Sequence, residues 1–382
     1  MKSLLSLALT LALTGCAAMQ TGAPLPSNAS IDSTARQLMQ TQRVNGLALA
    51  VIDNGQVVHS AAYGWRNVDK ALPLTTASIM YGASLTKTAF AYMMLQLVDE
   101  GLLDLDATID KLLPRPLPSY PDYADLAKDE RWKKLTPRIL LTHSTGFANF
   151  RWLEADKKLR FHFEPGQRYG YSGEGFYLLQ LIVESGLGLD AGKEMQRRVF
   201  DRFNMPNTSM KWRPDFNANL ADGYGIDGKF EPHDERSRVS AAGSMDTSIA
   251  DQANMWAGIV RGDGLSKASR ASLVKAQLPI VATNQFPTLV GKADPRNAEI
   301  GLAAGLGLVT FTDKTGPAWF KGGHNDFTGN MVVCLEQRQR CVVMLANDVR
   351  AERIYPALVR AILGDTAMPW RWEYGWADTA PR

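Results

Sequence analysis

A serine stands three residues ahead of a lysine in Tyr81-Gly82-Ala83-Ser84-Leu85-Thr86-Lys87, at the start of an apolar run with helical character. A hydroxyl attacks a carbonyl well only when a neighbouring base takes its proton. Residues at i and i+3 share a helix face, so Lys87 can reach Ser84 without help from distant loops. Lysine becomes a base when burial or nearby cations lower its pKa. The first helical turn adds positive potential and backbone N–H groups that can hold an oxyanion. The competing reading is an ordinary helix cap, because a serine hydroxyl also satisfies an orphan backbone N–H. Spacing does not choose between them. Ser-x-x-Lys should occur roughly once or twice in a chain this long, and Ser272-Leu273-Val274-Lys275 is a second copy. That copy lies in a basic, polar stretch with no strand beside it and reads as a solvated helix face.

Other chemistries find no support. No serine has the Gly-x-Ser-x-Gly spacing of a nucleophile elbow. The five histidines (His59, His143, His162, His233, His324) show no metal-ligand spacing, so no metal and no organic cofactor are implied. Gly186-Leu187-Gly188 followed by Gly192-Lys193 lacks the full pattern of a phosphate loop and reads as a helix terminus. A net charge of +3 over 382 residues, with no block of like charges, argues against a nucleic-acid partner.

The elements that must position Ser84 and Lys87 follow from periodicity. An amphipathic helix is expected from Ile31 to Val44. Two β-rich runs, Gly46 to Ile52 and Val57 to Tyr63, flank Asp53-Asn54-Gly55, a strong hairpin signal. The helix after Ser84 should run from Leu85 to about Glu100, with Gly101 where a C-cap glycine belongs. From about Pro114 to Gln285, helical runs alternate with Pro- and Gly-rich loops. Strands return after Gly301, and a last helix spans about Ala351 to Leu363. The simplest assembly is an α+β fold. One antiparallel sheet is built from both chain ends (residues 31–112 and 286–365) and flanked by helices, with a mainly helical lobe (113–285) inserted. Sites favour the cleft between such lobes. Residues 366–382 read as a C-terminal tail.

The first residues point to export. Met1-Lys2, an apolar Leu4 to Leu13 too short to span a bilayer, and Leu13-Thr14-Gly15-Cys16 form a signal peptide of residues 1–16. A small residue before a cysteine resembles the bacterial lipoprotein signal, which implies lipidation of Cys16 and a membrane anchor. Ala17 behind it points to the outer membrane, facing the periplasm. Residues 17–30, rich in Pro, Ser, Gly and Thr, read as a tether. Two more cysteines, Cys334 and Cys341, lie in β-rich runs joined by Gln337-Arg338-Gln339-Arg340. A turn centred on Gln337-Arg338 would set them opposite each other, and in an exported protein the pair can oxidise to a disulfide.

Four stretches together carry a family resemblance. SLTKTAFAYMMLQLVDEGLLDLDATIDKLLP after Ser84, LTPRILLTHSTGF (Leu135 to Phe147), FEPGQRYGYSGEGFYLLQLIVE (Phe163 to Glu184) and WFKGGHNDFTGNMVV (Trp319 to Val333) occur in that order. They resemble landmarks of the class C β-lactamase, penicillin-binding and family VIII esterase group of serine hydrolases. The resemblance spans roughly Ala35 to Leu363. It implies Ser84 as nucleophile, Lys87 as its base partner and Tyr171 as the other candidate base and acid for the leaving group. Lys321 falls on the lysine of the third motif. Gly323 then lets substrate approach the strand, and the His324 backbone N–H joins that of Ser84 in the oxyanion hole. In one place the chain departs from the pattern. Where the lactamase motif has asparagine, Tyr171-Ser172-Gly173 has glycine, with Glu174 beside it as partial compensation. This shifts expectation from β-lactams toward a small ester, amide or peptide substrate. The alternatives are a D-alanyl-D-alanine carboxypeptidase or class C-like β-lactamase acting at peptidoglycan, and a catalytically degenerate lipoprotein that only binds the cell wall.

Overall fold

The computed structural model describes residues 24–376, so Cys16, the signal region and the first half of the tether lie outside the described residues. The first helix, α1 (Asn28–Gln42), starts inside the expected tether because the Ser27 hydroxyl accepts from the Ser30 N–H at 3.2 Å and caps it. Strands β1 (Gly46–Asp53) and β2 (Gln56–Asn67) form the Asn-Gly hairpin. They are followed by α2 (Leu85–Asp99), α3 (Gly173–Leu181) and α4 (Ile249–Arg261). Four strands then return: β3 (Val309–Asp313), β4 (Gly316–His324), β5 (Gly329–Leu335) and β6 (Arg340–Ala346). Two helices close the described chain, α5 (Tyr355–Leu363) and α6 (Trp370–Tyr374).

The two chain ends meet in one antiparallel sheet. Its centre is β2-β1-β6-β5-β4-β3, with short strands completing both edges. The junction is the β1–β6 pair, in register from Leu47 opposite Ala346 to Ile52 opposite Cys341. Alternation along these strands divides the core. Leu47, Leu49, Val51, Met331 and Met344 face α1 and α5, whereas Ala48, Ala50, Val332, Val343 and Leu345 face α2 and the helical lobe. With both faces covered, β1 is buried from Gly46 to Ile52, which is why it reads as a continuous apolar run. Cys334 sits opposite Cys341 across β5 and β6, and a disulfide joins them.

Helix α2 is the hub. Its residues from Leu85 to Leu97 are all buried, so it has no solvent face along that length. Each large apolar side chain enclosed this way stabilises the fold by about 1.5–3 kcal/mol. The N-terminus of α2 therefore sits on a rigid base. Helix α4, which falls within the expected helical lobe, instead packs on β1, β2 and β6. The sheet layer thus takes in part of residues 113–285, because an apolar helix face is buried wherever the sheet offers an uncovered surface.

Candidate active site

Ser84 occupies the N-cap position of α2, and the residue before it, Ala83, has a left-handed φ of 46°. A non-glycine residue held there stores local strain of the kind found at functional turns. The Ser84 hydroxyl makes no cap bond to its own helix. Instead, Lys87 Nζ lies 3.0 Å from Ser84 Oγ and 2.5 Å from the Ala242 carbonyl oxygen. Strand β4 comes directly against this helix start. A Cβ on Gly323 would lie 2.9 Å from the Leu85 nitrogen, 3.0 Å from the Ser84 nitrogen and 3.1 Å from the Gly82 oxygen. Only glycine permits that approach, which sets the end of β4 beside the Ser84 N–H.

Tyr171 stands between two lysines. Lys87 Nζ is 5.0 Å and Lys321 Nζ 5.3 Å from its ring centre, and Lys321 Nζ lies 3.4 Å from its phenol oxygen. All three residues are buried. Burial, aided by the charge of Lys321, drives the Lys87 pKa well below the usual lysine value. Burial also brings Lys321 down to about 8, against the pull of Glu373. For Tyr171, burial raises the phenol pKa, and the Ser84 hydroxyl only partly offsets that. The phenol is therefore protonated near neutral pH, while the Lys87 amine has the depressed pKa of a base.

His143 is not a base. Its Nδ1 accepts from the Ser172 N–H at 3.1 Å, its ring stacks on Tyr171 at 4.2 Å, and burial holds its pKa well below the ordinary value. His324 ends β4 at the cleft wall with Nδ1 2.9 Å from Glu352. Among the described residues, no group of three or more His, Cys, Asp or Glu side chains is placed to hold a metal.

Ser84, Tyr171, Gly323 and His324 line one cleft of about 130 Å³, together with Asn149, Phe150, Gln285, Phe286, Gly322 and Glu373. The departure at Gly173 has a physical reason. A Cβ there would lie 2.2–2.9 Å from three atoms of the Phe150 ring, so Phe150 fills the space a larger residue would need. Glu174 does not compensate as expected. Its carboxylate is fully buried and bound by Arg151, through the side chain at 2.6 Å and the backbone N–H at 2.8 Å. The polar amide at this wall comes from Asn149, whose Oδ1 accepts from the Gly173 N–H at 3.0 Å. That bond turns its NH2 end away from Gly173. Nearby, His162 pairs with Glu154 and Trp152 stacks on Phe150 at 4.1 Å.

A double-mutant cycle tests this packing. Gly173→Asn alone should cost about 1–3 kcal/mol through overpacking, measured by urea unfolding. In a Phe150→Ala background the same change should cost markedly less. Equal costs in both backgrounds would separate Gly173 from Phe150.

Residues 366–376, expected as part of a tail, are not free. Helix α6 lies on the sheet, with Trp372 and Glu373 each 2% exposed. The Gln285 N–H donates to the Trp372 carbonyl at 2.8 Å, and Arg371 pairs with Asp294. Sequence periodicity missed Glu373, Asn149, Phe150 and Gln285. The available signal was composition: Trp370, Trp372, Tyr374 and Trp376 within seven residues are too aromatic for a solvated tail.

Comparison with known proteins gives the family and the fold. Residues 31–364 match the Beta-lactamase family model. The chain is 24% identical over 269 residues to penicillin-binding protein 4* of Bacillus subtilis, covering 62% of this chain and 56% of that protein. It is 26% identical over 223 residues to the lovastatin esterase of Penicillium rubens, covering 50% and 56% respectively. The chain thus spans just over half the length of each. The solved octameric penicillin-binding protein homologue from Pyrococcus abyssi superposes with a TM-score of 0.69 at 20% identity, over 87% of this chain and 77% of that one. At that identity the likeness speaks for the fold.

Proposed function

The chain belongs to the Beta-lactamase family, and on that premise we propose that it is a serine hydrolase that forms an acyl-enzyme on Ser84 and prefers esters or unusual amides to β-lactams. The observation that carries this reading is the buried Lys87 amine, with its lowered pKa, 3.0 Å from Ser84 Oγ. In the proposed reaction Ser84 Oγ attacks the substrate carbonyl and its proton passes to Lys87 Nζ. The oxyanion sits between the Ser84 N–H and the backbone N–H at the end of β4. As the tetrahedral intermediate collapses, the bond to the leaving group breaks. The leaving group takes a proton from the Tyr171 phenol, and the Lys87 ammonium restores it. Water then attacks the acyl carbonyl and gives its proton to Lys87 Nζ; the acyl–Oγ bond breaks, and Ser84 Oγ takes that proton back as the acid product leaves. The preference against β-lactams rests on Phe150 and Gly173, which replace an asparagine side chain at the acyl-amide wall with an aromatic ring.

The likeness to penicillin-binding protein 4* favours a second reading, a cell-wall D-alanyl peptidase. Comparing kcat/KM for a short-chain p-nitrophenyl ester, a D-alanyl-D-alanine peptide and penicillin separates the two. The ester should be turned over best. A preference for the peptide, or a long-lived penicillin adduct on Ser84, would favour the peptidase.

A further inference from the structure

We propose that Glu373, carried by a segment beyond residues 31–364 that match the family, is a positioning residue that acts through Lys321 and keeps its ammonium charged beside Tyr171. This deepens the reading of the Ser84 site and depends on it only for its kinetic consequence.

The placement is specific. A Cβ on Gly322 would lie 2.0 Å from Glu373 Oε1, so the carboxylate rests against β4 at a residue with no side chain to intervene. Lys321 Nζ donates to the carbonyl of the same Gly322. The two opposite charges therefore flank one glycine. Glu373 Oε2 accepts from Gln285 Nε2 at 2.7 Å, while Oε1 is buried with no hydrogen-bond partner among the described residues. A buried acceptor left unmatched is costly. A buried carboxylate is tolerated when charge nearby balances it.

The other groups facing this pair leave that role to Glu373. Lys87 from α2 and His143 and Tyr171 from the inserted lobe bring no negative charge at neutral pH. Buried Tyr169 and Tyr374 have raised pKa values and stay neutral. Glu352 and His324 engage each other at 2.9 Å, and the His324 charge also acts on Glu373, lowering its pKa ahead of Lys321. Glu373 is the carboxylate whose charge holds the Lys321 pKa up. Burial lifts its pKa to about 6 and lowers that of Lys321 to about 8, so both are ionised near pH 7. The charge kept on Lys321 in turn helps depress the pKa of Lys87.

The direct test titrates the lysine itself. Protein labelled with 13C at lysine Cε, with the Lys321 signal assigned through Lys321→Arg, would be followed from pH 5 to 11 in wild type, Glu373→Gln and Glu373→Asp. The Lys321 midpoint should lie near 8 in wild type. Loss of the opposite charge should lower it by about one pH unit or more in Glu373→Gln, with Glu373→Asp close to wild type. The alkaline limb of ester kcat/KM should move with the midpoint. An unchanged midpoint in folded Glu373→Gln, or equal shifts in both variants, would overturn the proposal. If Glu373→Gln does not fold, the wild-type Lys321 signal must still show a step near pH 6 as Glu373 protonates, and no step would overturn it. Absent ester turnover in wild type would count against the Ser84 reading, while the midpoints would still decide the role of Glu373.

Discussion

Lys87→Met is expected to lower kcat/KM for an ester by about 10³-fold, within the range of general-base contributions, without loss of fold. Methionine keeps the length and apolar stem of lysine and removes only the group 3.0 Å from Ser84 Oγ. The helix around it is buried on every side, and the Ala242 carbonyl left without the amine costs about 1–3 kcal/mol. Stability should move in a characteristic way with pH. Burial holds the folded-state pKa of Lys87 well below that of an unfolded lysine, so between the two values the unfolded chain binds more protons. Wild-type stability therefore rises with pH across that window. The variant binds no proton at this site and lacks that part of the slope. Any thermal advantage of Lys87→Met at pH 7 should shrink as pH rises toward that of free lysine. Calorimetry across pH, alongside kinetics, checks both parts. Wild-type-like kcat/KM in the variant would remove Lys87 as base.

Gly323→Ala should be nearly as damaging by a different route. The added methyl would meet three backbone atoms, at 2.9, 3.0 and 3.1 Å, and none of them can rotate away as a side chain could. Either β4 or the start of α2 must shift by tenths of an ångström. The two N–H groups proposed to share the oxyanion would then no longer converge. Loss of one such donor typically lowers kcat by about 10²–10³-fold. KM should change little, because these bonds strengthen as charge develops on the oxygen. Steady-state kinetics on the folded variant would show it. A kcat close to wild type would place the oxyanion elsewhere.

The parts of this site that were legible in the sequence are those set by local geometry or by ordered motifs. Ser84 and Lys87 share a face at i and i+3, and their environment followed from the apolar helix behind them. Tyr171, Lys321 and Gly323 are distant in sequence and came only through the family resemblance, which four motifs in order made specific. The β1–β2 hairpin was marked by Asn54-Gly55, and the Cys334–Cys341 register by the length of the turn between them. The side of the cleft built by packing was not legible. Nothing periodic couples Phe150 to Gly173 or sends the Glu174 carboxylate to Arg151. Glu373 belongs to a five-residue helix, too short to show a period in the sequence. The sequence of helix α4 shows an apolar face without naming the surface that covers it, so its place on the sheet is not legible there.

The central claim is a covalent acyl intermediate on Ser84. Its most direct test is intact mass of the protein rapidly quenched during turnover of a p-nitrophenyl ester, with peptide mapping, beside Ser84→Ala. The account predicts one added acyl mass on the peptide that holds Ser84, and neither adduct nor turnover in Ser84→Ala. Steady turnover by Ser84→Ala, or an acyl group mapped to another residue, would contradict it.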